Sequence, residues 1–183
     1  KGKKLSTEVA DFGVWNINAL NEMKKFTSVV DLHIIAPYPY LKPNLYEYYE
    51  DGMSYHFFKK SSVTVRKIYS IFPVLYKYFK PAYRKNRSIV KSLIKQIQPS
   101  VVHIIGAENP DYSIMGLDIP KSCKLVVQLQ TLMSDPKFFV NYPIDRRSYD
   151  YRKNIEKAVI KRADYVGTTI QDYRNIILKH INA

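Results

Sequence analysis

Glu108 and Asn109 come just past the end of the apolar run "VVHIIG", which spans residues 101–106. A carboxylate and an amide therefore stand where a buried strand would give way to a loop. Gln130 and Thr131 follow "KLVVQL" in the same way, and Thr168 and Thr169 follow "DYVG". Polar side chains thus converge on one rim, where a ligand could lie, while the strands behind them are apolar. Gly13 opens a helical pattern whose first backbone N–H groups could meet an anion. Each position also has a structural reading. Glu108 and Asn109 are good helix caps, and Gly13 stands alone, without the full Gly-x-Gly-x-x-Gly pattern. His103 is read as a core histidine in mid-strand. His33, His56 and His180 show no partner pattern and are read as structural or surface residues.

The elements that would position these groups alternate along the chain. Lys1 to Phe12 has no clear period and reads as loop. Trp15, Ala19, Leu20, Met23 and Phe26 recur at helical spacing and predict a helix over 14–26. "VVDLHIIAP" (29–37) reads as a buried strand, the Tyr- and Pro-rich stretch 38–52 as a loop, and "MSYHFF" (53–58) as an edge strand. "RSIVKSLIKQI" (87–97) is an amphipathic helix ended by Pro99, with Ile89, Val90, Leu93, Ile94 and Ile97 on one side and Arg87, Lys91 and Lys95 on the other. A strand at 101–106, a short helix from Pro110 to about Leu117, a strand at 124–130, a helix over 148–162, a strand at 163–169 and a final helix complete the order. Thr169 and Asp172 stand three apart before that helix as an acidic capping box. Continuous apolar strands alternating with helices predict an α/β fold with a mostly parallel sheet covered on both faces. In such sheets the ligand lies beyond the carboxyl ends of the strands, which is where Glu108, Asn109, Gln130 and Thr131 fall.

The chain has 183 residues, enough for one sizeable core. Its single cysteine, Cys123, excludes an internal disulfide, and no Cys/His zinc spacing occurs, so no metal is expected. No apolar run approaches the roughly 20 residues that cross a bilayer. The net charge of +13 is concentrated. Between Gly52 and Ala107 lie 11 of the 29 basic residues and none of the 16 acidic ones. Within that window Arg66, Lys67, Lys77, Lys80, Arg84 and Lys85 are interleaved with Tyr69, Phe72, Tyr76, Tyr78 and Phe79. Basic and large apolar side chains together suit an anionic membrane surface. Solvated helix faces are the plain alternative. The aromatics could also stack nucleic-acid bases, but no RNA- or DNA-binding motif is present and no nucleic acid is expected as a partner.

Four segments resemble the N-terminal domain of family 4 glycosyltransferases, which have the GT-B fold. "DFGVWNINALNEM" resembles that family's glycine loop and first helix, and "PSVVHIIGAENP" its strand end with a glutamate after the glycine. "KLVVQLQTL" resembles the strand that usually leads into a His-containing loop. "RKNIEKAVIKRADYVGTTIQDYRNII" resembles the helix, strand and helix that close the domain. The resemblance covers about residues 11–183. The chain has Gly13–Val14 where family members commonly have paired glycines, and Gln130 where they often have a histidine.

The resemblance implies a Rossmann-like three-layer sandwich over residues 1–183, half of a GT-B fold. It further implies a central first strand before Lys1 and a second, nucleotide-sugar-binding domain after Ala183 carrying paired glutamates seven residues apart. Glu156 and Asp164 have that spacing but sit in a helix-to-strand setting and are read as unrelated to it. The implied activity is retaining transfer of a sugar from a nucleotide sugar to a glycan or lipid-linked acceptor, as in polysaccharide biosynthesis, without a bound metal or other cofactor. Gly13, Glu108, Asn109, Gln130 and Thr131 would bind substrate, with the catalytic residues mainly in the other domain. The implied setting is cytoplasmic, peripheral at the inner face of the membrane. A non-catalytic α/β ligand-binding or regulatory module, or a basic nucleic-acid-binding domain, remains the alternative.

Overall fold

A computed structural model describes residues 14–59, 83–135, 137, 146–168 and 170–181. The chain is α/β. In order it forms α1 (Val14–Lys24), β1 (Leu32–Tyr38), β2 (Leu45–Glu50), β3 (Met53–Lys59), α2 (Arg84–Ile97), β4 (Val101–Ile105) and α3 (Pro110–Ser113). A 3-10 turn (Ile114–Asp118), β5 (Lys124–Leu129), α4 (Arg146–Arg162), β6 (Tyr165–Thr168) and α5 (Tyr173–Ile181) follow.

The strands form two three-stranded sheets. One has the order β1-β3-β2, with β1 parallel and β2 antiparallel to β3; the other, β4-β5-β6, is wholly parallel. Two expectations are corrected in the mixed sheet. The stretch read as a loop over 38–52 contains strand β2, and "MSYHFF" is the middle strand rather than an edge. Asp51 and Gly52 both adopt positive φ, 52° and 77°. This is the left-handed pair that a two-residue hairpin turn requires, and it folds β2 back onto β3. Because β2 is exposed and an edge among the described residues, its sequence LYEYYE lacks the apolar alternation that would have marked it.

The parallel sheet is centred on β5, where Leu125, Val127 and Leu129 are fully buried and alternate with half-exposed neighbours. Fully burying each such side chain contributes about 1.5–3 kcal/mol. β4 is less buried than its apolar sequence predicts: Val101 is 54% exposed and His103 is exposed too, while Ile104 is buried. Among the described residues β4 pairs only with β5, so it is an edge. His103 is therefore not a core histidine, and its side chain hydrogen-bonds that of Gln128.

Helix α2 lays Val90, Leu93 and Ile94 into the core, as its apolar stripe predicts. It ends at Gln98 in the left-handed conformation, whose N–H bonds the carbonyl of Ile94 at 2.9 Å, and Pro99 follows. Gly116 in the 3-10 turn lies so close to Ile104 and Val159 that a Cβ there would meet their side chains at 2.9 and 3.3 Å. That close approach packs the turn between β4 and α4. One cluster of buried residues joins the two sheets, running from Phe58 through Val90, Ile104, Leu125 and Val127 to Val159 and Ile177. Asp164 fixes β6 at the start of β5. Its carboxylate accepts the Leu125 N–H at 2.9 Å, and its own N–H bonds the Leu125 carbonyl at 2.8 Å.

Candidate functional site

The carboxyl ends of β4 and β5 lie side by side, with Ile105 opposite Gln128. Past the end of β4 the chain turns at Gly106, where φ is +85° and the N–H still bonds the Gln128 carbonyl at 2.7 Å. Only a residue without a side chain suits this bend. A Cβ there would meet Tyr112 Oη at 2.7 Å and both Glu108 carboxylate oxygens at 2.8 and 2.9 Å. The Glu108 carboxylate is thus folded back over its own turn.

The two neighbouring residues differ in what they do locally. Asn109 is the helix cap: its Oδ1 accepts the Asp111 N–H at 3.0 Å, and Pro110 takes the first helical position. Glu108 does not cap. Its Oε1 accepts the Tyr112 hydroxyl at 3.0 Å. Oε2 is buried and has no hydrogen-bond partner among the described residues. Burial raises the Tyr112 phenol far above its ordinary range, reinforced by the adjacent Glu108 charge, so Tyr112 remains a donor.

After β5, Gln130 and Thr131 are both half-buried or better. The hydroxyl oxygen of Thr131 is buried and, like Glu108 Oε2, unpartnered among the described residues. The following turn is held by α4. Glu156 is 0% exposed, and its carboxylate accepts the Met133 N–H at 2.7 Å and both the N–H and the hydroxyl of Ser134 at 3.0 Å. Tyr149 donates its hydroxyl to the Met133 carbonyl at 2.6 Å. Arg152 reaches the other loop, donating Nε–H to the Glu108 carbonyl at 2.9 Å. Tyr149, Arg152 and Glu156 are spaced three and four apart on one face of α4, which therefore ties down the loops after both strands. Burial pushes the Glu156 carboxyl up to about 7 against the pull of its three hydrogen bonds, and the nearby Glu108 charge adds to the rise.

Thr168 turns back on its own loop, its hydroxyl accepting the Ile170 N–H at 3.1 Å. Gly13 and Thr169 lie outside the described residues, as do Arg66, Lys67, Lys77 and Lys80. Arg84 is exposed, and Lys85 is exposed with its Nζ donating to Asn44 Oδ1 at 2.6 Å. Arg87, read as part of the basic stripe of α2, is half-buried and makes a two-pronged ion pair with Asp118 at 2.6 Å.

Sequence reasoning placed Glu108, Asn109, Gln130 and Thr131 past the ends of β4 and β5, which is where they lie, and did not connect Tyr112, Tyr149, Arg152 and Glu156 with them. Glu156 had a signal: it falls in the stripe of Tyr149, Val159 and Ile160, where a carboxylate needs donors to be tolerated. Among the described residues no group of three or more His, Cys, Asp or Glu is arranged to hold a metal ion. No family model matches the chain, and no curated protein matches it.

Proposed function

We propose that this chain is the acceptor-binding half of a retaining glycosyltransferase that moves a sugar from a nucleotide sugar to a glycan or lipid-linked acceptor. The observation that carries the proposal is the pair of buried, unpartnered oxygens, Glu108 Oε2 and Thr131 Oγ1, just past the ends of adjacent parallel strands. A buried acceptor without a donor costs about 1–3 kcal/mol. A sugar hydroxyl supplies the donor Glu108 needs and can pair with the Thr131 hydroxyl in either direction. In the reaction the acceptor hydroxyl oxygen bonds to the anomeric carbon as that carbon's bond to the diphosphate breaks. The hydroxyl proton passes to an oxygen of the departing nucleoside diphosphate. Glu108 and Thr131 orient the hydroxyl, and α4 holds both in register through Arg152, Glu156 and Tyr149.

The resemblance over residues 11–183 supports this reading. So does the pairing of the strands: β1 and β4 each have one strand neighbour among the described residues. In the proposal the two sheets are the flanks of one Rossmann-like sandwich with a further parallel strand between them, and a second domain holds the nucleotide sugar. The setting is the cytoplasmic face of a membrane, where the basic window, including Arg84 and Lys85, meets anionic lipid. No helix among the described residues is long and apolar enough to cross a bilayer.

The test is to incubate the full-length protein with a panel of nucleotide sugars and follow nucleoside diphosphate release, with and without saccharide acceptors. Acceptor-dependent release is expected for one donor. Saccharide binding without release from any donor would favour the non-catalytic module.

A further inference from the structure

Strand β2 is the outer edge of the mixed sheet among the described residues, and every residue of it after Leu45 is exposed. Its pairing shows which backbone groups are free. The Lys59 N–H donates to the Asn44 carbonyl at 2.9 Å, and Leu45 lies opposite Phe58. Antiparallel pairs alternate between bonded and non-bonded. Tyr46, Tyr48 and Glu50 therefore direct their backbone groups to β3, while the N–H and C=O groups of Leu45, Glu47 and Tyr49 point outward. Natural edges are commonly blunted by Lys, Pro or a bulge. β2 has none of these: its sequence is LYEYYE, and its register on β3 runs unbroken from Leu45 to Glu50. Glu47 is drawn to the neighbouring strand, its Oε1 2.6 Å from His56 Nδ1. Tyr48 stacks one face on Tyr55, with ring centres 4.6 Å apart and planes 3° apart, and turns the other face to the edge.

Charge also runs in one direction along this sheet. Glu50 and Asp51 stand at the hairpin end; Asp51 is paired with Lys24 at 2.7 Å, whereas Glu50 has no ion pair among the described residues. The opposite end holds Lys42, Lys59 and Lys85, the last bonded to Asn44, and residues 38–45 contain no acid. We propose that two copies of this chain join edge to edge through β2, as an antiparallel pair about a two-fold axis, so that two three-stranded sheets become one. Such an interface is self-complementary, each surface meeting its own copy. The outward backbone groups must face one another, so odd-numbered residues oppose odd-numbered ones. Two registers do this along most of the strand. One sets Glu47 of both copies on the axis, carboxylate against carboxylate, which is destabilising. The other sets Tyr48 on the axis, with Glu47 against Tyr49 and Glu50 against Tyr46. In that register the two Tyr48 rings extend the stack begun on Tyr55. Glu47 and Tyr49 exchange about four backbone hydrogen bonds across the axis, and Glu50 of each copy approaches the basic end of the other. The surface is small, so association is weak and depends on concentration. It stands apart from the rim past β4 and β5 and does not rest on the acceptor reading.

Sedimentation of the full-length protein over rising concentration tests this, with a monomer–dimer equilibrium expected. Tyr49→Pro removes an N–H that the folded chain leaves to solvent and the pairing needs, a place where an edge strand tolerates proline. Tyr48→Lys sets two ammonium groups against each other on the axis. Both should stay monomeric at concentrations where the parent dimerises, with circular dichroism showing them folded. Tyr48→Cys reads the register. The two Cα atoms at position 48 would lie about 4.5 Å apart in a non-bonded pair, within disulfide reach. Oxidised glutathione should cross-link this variant through position 48, while Tyr46→Cys, at a position facing Glu50, should stay largely uncross-linked; Cys123 is buried. A parent that remains monomeric throughout would overturn the proposal. So would a dimer kept by both Tyr49→Pro and Tyr48→Lys, or faster cross-linking through position 46 than through position 48.

Discussion

Tyr112 donates its hydroxyl to Glu108 Oε1 at 3.0 Å, four residues along the chain, and the second oxygen of that carboxylate is left buried without a partner among the described residues. The phenol thus fixes the carboxylate's orientation without using up its capacity to accept. The site depends on this division, together with the transfer of the capping role to Asn109.

Asn109→Ala should lower stability by about 1 kcal/mol, the usual cost of losing a helix cap, and Asn109→Asp should restore most of it. Urea unfolding of the two variants checks this. If Asn109→Ala costs nothing, the cap is not formed as described.

Gly106→Ala should destabilise by more than about 1 kcal/mol, since φ is +85° and the added methyl runs into Glu108 and Tyr112. The same methyl displaces the Glu108 carboxylate, so acceptor affinity should fall alongside stability. Thermal melting combined with acceptor binding measures both.

Glu156 gives stability a pH dependence with a definite sign. Its folded-state value, about 7, lies above the 4.5 of an ordinary glutamate, so between those values the folded state holds the proton more tightly than the unfolded chain. Stability from this group is full below about 4.5 and is lost as pH rises through about 7, by a few kcal/mol in all. Glu156→Gln should be less stable overall, because its amide N–H₂ faces a backbone N–H, but should lose this slope. Denaturant midpoints from about pH 4.5 to 8 decide it; an unchanged slope in Glu156→Gln would assign the effect elsewhere.

These positions also mark where the sequence could be read and where it could not. Strand β5 and helix α2 were legible because burial leaves a strong apolar pattern, and β4 from its apolar residues, although only Ile104 of them is buried. The rim followed from them, because polar residues past strand ends need no contact information to be noticed. Strand β2 was obscured by its exposure, although Asp51–Gly52 carried the turn signal. The 2.9 Å contact of His33 Nδ1 with His56 Nε2 exists only through the register of β1 on β3, which no local pattern encodes. Tyr149, Arg152 and Glu156 read as an ordinary helix face until the loops they hold are in place.

The basic window should retain the protein on anionic vesicles at low salt and release it at high salt, each basic residue contributing roughly 1 kcal/mol. Arg84→Gln with Lys85→Gln should reduce partitioning by roughly tenfold or more. Arg87→Gln should act differently, lowering stability by stranding half-buried Asp118 while leaving partitioning nearly unchanged. Sedimentation with neutral and anionic vesicles, and with an RNA competitor, measures this. Equal recovery on both vesicles would remove the electrostatic contact, and RNA binding without lipid binding would assign the window to nucleic acid.

The most direct measurement of the proposed function is the acceptor KM of the full-length protein in Glu108→Gln and Thr131→Val. The amide introduced by Glu108→Gln would still accept the Tyr112 hydroxyl, so the thermal midpoint should stay within about 3 °C of the parent. Loss of the charged acceptor should raise the acceptor KM by roughly tenfold or more, with the KM for the nucleotide sugar little changed. Thr131→Val should act in the same direction more weakly. An unchanged acceptor KM in both variants, with folding intact, would contradict the assignment of this rim to the acceptor.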